Sequence, residues 1–234
     1  MSDLATSSGV EKSNGALDHL IYVLKENPVT LIAFAMFGVL VFIGVFGPVI
    51  APYDPMQSDA ASALQPPSLA HWFGTDNLGR DVFSRALVAA RLDLMISVAA
   101  VALSFVFGSF LGAVAGYWGG LIDGVLNRIF DTIMAFPLFV LAMGIVAALG
   151  NTVENIVYAT AVINIPFYAR LVRAEVNIRR TSGFAQAAKL AGNSDLRVLA
   201  FHIYPNALPP MMVQVSLNLG WAILNAAGLS FIGL

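Results

Sequence analysis

Long stretches without a charged side chain constrain this chain more than any other feature. A helix that crosses about 30 Å of hydrocarbon needs about 20 consecutive, mostly apolar residues. Val29–Ile50, Leu94–Ile122 and Thr132–Val153 each meet that length. Asn155–Ala169 is bounded by Glu154 and Arg170 and meets it only if the helix runs past both charges. Ile203–Leu234 is the fifth such stretch. The composition agrees: 58% of the 234 residues are hydrophobic and 11% charged, with mean hydropathy +0.79. Soluble domains carry about 25% charged residues, so this chain lacks the polar groups to cover a water-facing surface. The expected fold is an all-α membrane protein, a polytopic helical bundle with five spans.

Residues 1–28 precede the first span and hold Lys12 and Lys25 against Asp3, Glu11, Asp18 and Glu26. A cleaved signal peptide has a positive leader and a 7–15-residue apolar core. This leader is acidic and the core longer, so 29–50 is expected to be a retained first transmembrane helix behind a flexible tail. Orientation follows from lysine and arginine, which concentrate on the cytoplasmic side. Arg170, Arg173, Arg179, Arg180, Lys189 and Arg197 lie between the fourth and fifth spans, half of the chain's 12 positive residues. That loop is expected to be cytoplasmic, and alternation puts the N-terminus there too. Residues 51–90 then form an external loop, irregular through "APYDPMQ" and "LQPPSLAHW", turning at Asn77–Gly79 and becoming helical from Arg80. Residues 91–234 form the core with spans two to five.

Several classes of function are excluded or disfavoured. The net charge of −2 and the lack of a basic run give nucleic acid no footprint. There is no cysteine, and His19, His71 and His202 are scattered, so no metal set is expected. No GxxxxGK[ST] loop is present to cradle nucleotide phosphates. Neither catalytic nor cofactor-binding residues are expected, and the chain is not read as an enzyme. Almost no ionisable group lies at mid-membrane depth, which disfavours a carrier coupled through buried carboxylates. Asp123, Arg128 and Asp131 gather at the inner edge of the third span, with Arg128 and Asp131 spaced to pair. Pro137, Pro166, Pro205, Pro209 and Pro210 lie in or beside apolar helices and permit kinks.

Ser104, Gly108, Gly112 and Gly116 recur every fourth residue along the second span, and Gly120 and Gly124 continue the spacing. Small residues at that interval let another helix backbone approach closely. Packing within the chain is the simpler reading; contact with a partner subunit or a sliding helix is the alternative.

The most unusual segment is "TSGFAQAAKLAGNSDLRVLAFHIYPNALPP", Thr181–Pro210. Thr181 or Ser182 can cap a short helix. Phe184, Ala187, Ala188 and Ala191 share one small, apolar face. Gly192 suits the left-handed residue after a helix, and Asn193 or Ser194 can start the next. The result is an elbow: short helix, glycine turn, short helix, membrane helix. It suits transmission of force from a docked protein, and equally a helix resting in the membrane interface.

"QAAKLAGNSDLRVLAFHIYPN" resembles the EAA loop of binding-protein-dependent ABC importer permeases: E-A-A, three residues, G, then about nine residues and I-x-L-P-N. Ala187, Ala188, Gly192, Ile203, Pro205 and Asn206 match, while Gln186 replaces the glutamate and Tyr204 the leucine. "FGTDNLGRDVFSRALVAARLDLMISVAA", "AGYWGGLIDGVLNRIFDTIMAFP" and "GLSFIGL" resemble the dipeptide/oligopeptide/nickel subfamily, and the matches together cover about residues 45–234. The resemblance implies a bacterial inner-membrane permease subunit. Its partners would be a second homologous permease subunit, two cytoplasmic ATP-binding subunits and an external substrate-binding protein. It also implies that Phe184, Gln186, Ala187, Ala188, Gly192, Asp195 and Pro205, within the EAA-like loop at 181–206, form the ATPase-docking segment. Family members usually continue past "LSFIGLG" through a sixth span. The alternative expectation is a non-transporting assembly or scaffold subunit; a stand-alone carrier or channel lacks its coupling charges or polar pore ring.

Overall fold

The computed structural model describes residues 25–233, so the first 24 residues of the expected tail and the final residue of the fifth stretch lie outside the described residues. The chain divides into two compact units, residues 1–91 and 92–234, and each is described by itself.

In the first unit, helix α1 spans Pro28–Ile50. Pro28 supplies the pre-set first turn, and the Asn27 side chain accepts hydrogen bonds from the backbone N–H groups of Val29 (3.1 Å) and Thr30 (3.3 Å). Only Gly44 and Gly47 of α1 are buried; its Val, Leu, Ile and Phe side chains point outward, as a lipid-facing helix requires. At Gly47 the α1 backbone rests on the Leu87 carbonyl. Leu87 belongs to α2, Val82–Trp118, whose first turns complete the unit.

The connecting loop has little regular structure beyond a 3₁₀ turn at Ala60–Ser62, but side chains fasten it throughout. Asp76 accepts from the backbone N–H groups of Leu78 (2.9 Å) and Arg80 (3.0 Å) and pairs with the Arg80 guanidinium at 2.8 Å. Gly79, at φ +73°, closes that turn. Asp81 caps α2: its Oδ2 accepts from the Ser84 N–H and hydroxyl, both at 2.7 Å, while His71 Nδ1 lies 3.0 Å from Oδ1. Thr75 and Asp81 form an antiparallel bridge.

The second unit takes up the rest of α2 and adds α3 (Gly120–Ala135), α4 (Leu138–Leu149), α5 (Val153–Arg179), α6 (Gly183–Leu190) and α7 (Asp195–Phe231). Among the described residues four helices are long and apolar enough to cross a membrane: α1, α2, α5 and α7. The expected third span is corrected. Thr132–Val153 is not one helix; α3 and α4 meet at 92° and count together as one broken span or a re-entrant loop. Pro137 is the cause, since it lacks an N–H and forces Phe136 out of helical geometry, to ψ 146°. The fourth span reaches full length because α5 runs past both Glu154 and Arg170. The second begins earlier than the uncharged stretch and ends at Trp118, where Gly119 and Gly120 adopt φ +66° and +58°.

The small-residue stripe packs within the chain. A Cβ on Gly108 would meet the Ile165 carbonyl and Tyr168 Cβ, both at 2.7 Å, and one on Gly116 would meet the Arg173 carbonyl at 2.6 Å. Gly112 lies directly on the Ala169 backbone. Ser104 is fully buried, its hydroxyl donating back to Ala100 O at 2.8 Å. The stripe stops there: Gly120 lies beyond the end of α2, and neither Gly120 nor Gly124 faces any atom within 4 Å of the Cβ position. The expected Arg128–Asp131 pair is also corrected, because Asp131 pairs with Arg170. Asp123 takes a two-pronged contact from Arg173, with Nη2 to Oδ2 at 2.6 Å, so two ion pairs hold α3 on α5.

Two outcomes follow. Gly112→Leu forces apart two backbones in contact and should cost at least the roughly 1–3 kcal/mol of an overpacked core, read as a lower melting temperature in detergent. Gly144→Ala, at a helix position with open space around it, should instead leave stability unchanged or raise it by about 0.5–1 kcal/mol. In the loop, burial opposes ionised Asp81, but hydrogen bonds from Ser84 and His71 outweigh it and hold the carboxyl below its ordinary value. Asp59, through Ser62, is held low as well. Depressed carboxylates stabilise the fold fully above the ordinary carboxylate range and lose that contribution as pH falls from there through their lowered values. Amide protection at Thr75 and Val82 should therefore be intact at neutral pH and lost under acid, and Asp81→Asn should lose it at neutral pH.

Candidate functional site

The elbow is built on the cytoplasm-proximal ends expected of α2 and α5. Its short helix α6 buries Ala185 and Ala188 in a cluster with Ala113 and Tyr117 of α2, Val172 and Val176 of α5, and Val198, Leu199 and Ile203 of α7. The glycine seam brings Tyr117 here, one residue past Gly116. Tyr117 is the central fastening of the elbow. Its hydroxyl donates to Asp195 Oδ1 at 2.7 Å, its carbonyl accepts from Arg180 Nη1 at 3.0 Å, and Lys189 Nζ sits 5.2 Å from its ring centre. Lys189 also pairs with Asp195 at 2.9 Å. The hydrogen bonds that Lys189 donates to Asp195 and then to the Tyr117 hydroxyl raise its pKa above the ordinary lysine value. One tyrosine thus ties the end of α5, the end of α6 and the start of α7.

The turn itself depends on Gly192 at φ +85°. Its N–H donates to Lys189 O at 2.9 Å, while the Asn193 side chain donates to Ala188 O at 2.9 Å, so two of the carbonyls ending α6 are satisfied. At the other end the expected hydroxyl cap does not form. Ser182 occupies the cap position, but its hydroxyl donates to Arg179 O at 2.6 Å and Thr181 donates to Ile178 O at 3.1 Å. Instead the Gln186 side-chain amide donates to Thr181 O at 3.0 Å. A carbonyl can only accept, so this contact uses the NH₂ group that a glutamate would lack.

Beyond Ser194, α7 opens with a helical turn and then a π-helical stretch, Val198–Ile203, in which the Tyr204 N–H donates to Leu199 O, five residues back. Pro205 follows at once. Its ring excludes ordinary helical packing against the carbonyl four residues earlier, and the widened turn relieves that clash. Pro209 and Pro210 continue the run of missing donors.

The seven expected docking residues separate by where they face. Phe184, Gln186, Ala187, Gly192 and Pro205 are exposed. Ala188 is turned into the core with Ala185, and Asp195 is spent on Tyr117 and Lys189. The shared face of Phe184, Ala187, Ala188 and Ala191 is thus corrected: the buried pair is Ala185 and Ala188. With alanine at 185, 187, 188 and 191, periodicity could not choose the inward face. The exposed side also carries Leu190, 90% accessible, which the sequence reading missed. Alongside, Leu196 and Phe201 edge a shallow depression that includes Arg197 and His202. Among the described residues no cluster of His, Asp or Glu could hold a metal.

Comparison with known proteins agrees with this architecture. The family described as "Binding-protein-dependent transport system inner membrane component" matches residues 108–234, and the "N-terminal TM domain of oligopeptide transport permease C" matches residues 20–67. The chain is 42% identical over 221 residues to the "Probable D,D-dipeptide transport system permease protein" of Escherichia coli (strain K12), covering 94% of this chain and 74% of that one. It is 41% identical over 211 residues to a dipeptide transport system permease protein of Alkalihalophilus pseudofirmus, covering 90% and 69%. A glutathione transport system permease protein of Shigella dysenteriae serotype 1 is 41% identical over 196 residues, covering 83% and 65%.

Tyr117→Phe deletes the hydroxyl that holds Asp195 and keeps the ring in place. Amide exchange across 183–195 should rise several-fold while the α2–α5 seam stays protected; unchanged exchange in the elbow would remove Tyr117 from this role. Both the matched regions and the helical membrane architecture lead to one assignment: the chain belongs to the family of inner-membrane permease components of binding-protein-dependent transport systems.

Proposed function

We propose that this chain forms half of the substrate path of an ATP-driven importer and receives the ATPase stroke through the 183–203 elbow. The observation that carries the reading is the pairing of an exposed apolar helix face with rigid fastening behind it. Phe184 and Leu190 point outward from α6, while Ala185, Ala188, Tyr117 and Asp195 lock the same helix to α2, α5 and α7. A force applied to such a helix is delivered to membrane helices with little slack, since packed side chains deform little.

Two cytoplasmic ATP-binding subunits would dock at this face, a second homologous permease subunit would complete the path, and an external binding protein would deliver the solute. The positive residues around the elbow support a cytoplasmic elbow, with the N-terminus on the same side of a bacterial inner membrane. Relatives named for dipeptide and glutathione transport support a peptide or related small solute. ATP hydrolysis belongs to the partners in this reading. Within the contact, Phe184 is the apolar anchor, Ala187 allows close approach, and Gln186 contributes through the helix start that it fixes.

Because the sequence has no cysteine, Ala187→Cys places a single reactive thiol on the exposed side of α6. In native membranes it should cross-link to a nucleotide-binding protein, in a yield that changes with ATP. Absence of that cross-link from stably inserted, assembled protein would overturn the docking assignment. Gly192→Asp adds the roughly 1–2 kcal/mol cost of a left-handed non-glycine residue and a charge at the contact. It should reduce solute-stimulated ATP hydrolysis severalfold or more with the chain still inserted.

A further inference from the structure

The loop between α1 and α2 carries an apolar tip that the proposed transport role does not use. Pro66–Phe73 contains no charged residue, whereas Asp54, Asp59, Asp76 and Arg80 lie to either side. Leu69 is 98% exposed, Trp72 60% and Phe73 58%. This exposure is fixed by the fold. The Tyr53 hydroxyl donates to Ala70 O at 2.9 Å, its ring packs 4.8 Å from that of His71, and His71 is held in turn by Asp81. Ser68 and His71 exchange two further hydrogen bonds, Ser68 N–H to His71 O at 2.8 Å and His71 N–H to Ser68 Oγ at 3.0 Å. The tip cannot fold its apolar side chains inward without breaking this frame.

The height of the tip follows from contacts within the same unit. The outer side chains of α1 face lipid along its length, and near its last turn Gly47 rests on Leu87. Leu87 is therefore near the end of the hydrocarbon. Phe83 lies one helical turn before it, about 6 Å along the axis, within the interfacial layer that flanks the hydrocarbon. Trp72 and Phe73 both pack on Phe83, with ring centres 4.9 and 5.1 Å away. Tryptophan and tyrosine concentrate at this level of a bilayer because an apolar ring with a polar edge suits it.

We propose that the Leu69–Phe73 tip is a lipid anchor, seated in the headgroup layer beside the end of α1 and continuous with the lipid-facing surface of that helix. Its occupant is the bilayer interface. A protein partner is the less suitable cover, because the exposed tip offers no charge for recognition while it adjoins a surface already in lipid. The anchor holds the first turn of α2 at a set depth through Phe83.

The lack of cysteine makes the test direct. A nitroxide label is placed at Leu69→Cys or Trp72→Cys, with Val39→Cys on the exposed side of α1 as the lipid reference. The complete transporter, with partner cysteines replaced, is reconstituted in vesicles of phosphatidylethanolamine and phosphatidylglycerol. Oxygen collisions should exceed those of a water-soluble nickel chelate at positions 69 and 72, by a smaller ratio than at 39. Predominant nickel access at 69 and 72 would place the tip in water and overturn the anchor. Low access to both reagents would mean a protein covers the tip, and overturns it equally. Position 69 makes no packing contact worth preserving, so its result stands even where Trp72→Cys disturbs the loop.

Discussion

The close approach of α2 to α5 along Gly108, Gly112 and Gly116 is the constraint on which the second unit depends. In lipid, helices gain little from hiding apolar side chains, since their surroundings are as apolar as they are. What remains is van der Waals contact, and that requires backbones near enough for many atoms to meet. The absent Cβ atoms provide the room, with the Gly112 backbone resting on Ala169. The seam sets how closely α2 lies on α5, and so where Tyr117 stands. From there the elbow is determined: Tyr117 reaches Asp195 and Arg180, and Ala185 and Ala188 fill the space that the ends of α2 and α5 leave between them.

Charge has a complementary role. Asp123 with Arg173 and Asp131 with Arg170 attach α3 to α5, beside the buried Phe130 of α3. A helix bent by 92° at Pro137 has no continuous face to pack, so separate anchors are required on each side of the break. The ion pairs serve the first half. Ala142 and Val146, packed with Ile156 and Ala159 of α5, serve the second.

Departures from helical regularity gather where the chain enters the membrane from the elbow. The π stretch at Val198–Ile203, then Pro205, Pro209 and Pro210, leave several backbone positions without the ordinary four-residue hydrogen bond. Buried Asn218, farther along α7, accepts from Gln214 at 3.0 Å while its own NH₂ is unpaired. A helix of this kind joins a rigid elbow to a less regular membrane segment, a combination consistent with movement relayed from one to the other. The same elbow that is held by hydrogen bonds at its base therefore leads into a stretch of α7 where ordinary helical hydrogen bonds are missing.

The sequence by itself determined the helical membrane class, because uncharged runs of this length leave a chain no other solvent. It also determined the interval of the glycine stripe and the turn at Gly192, since spacing and a left-handed backbone are local properties. Pro137 was visible too, yet its 92° consequence was not, as a proline inside an apolar run reads equally as a mild kink. Tertiary structure alone decided which alanines of α6 face inward, because identical side chains carry no direction until a neighbour covers one of them. It decided that Asp195 is a tie and that Asp131 pairs with Arg170, because electrostatic partners are chosen by distance in space. And it gave Gln186 its role: the amide donates to Thr181 O, a use that depends on where the carbonyl lies when the helix has formed.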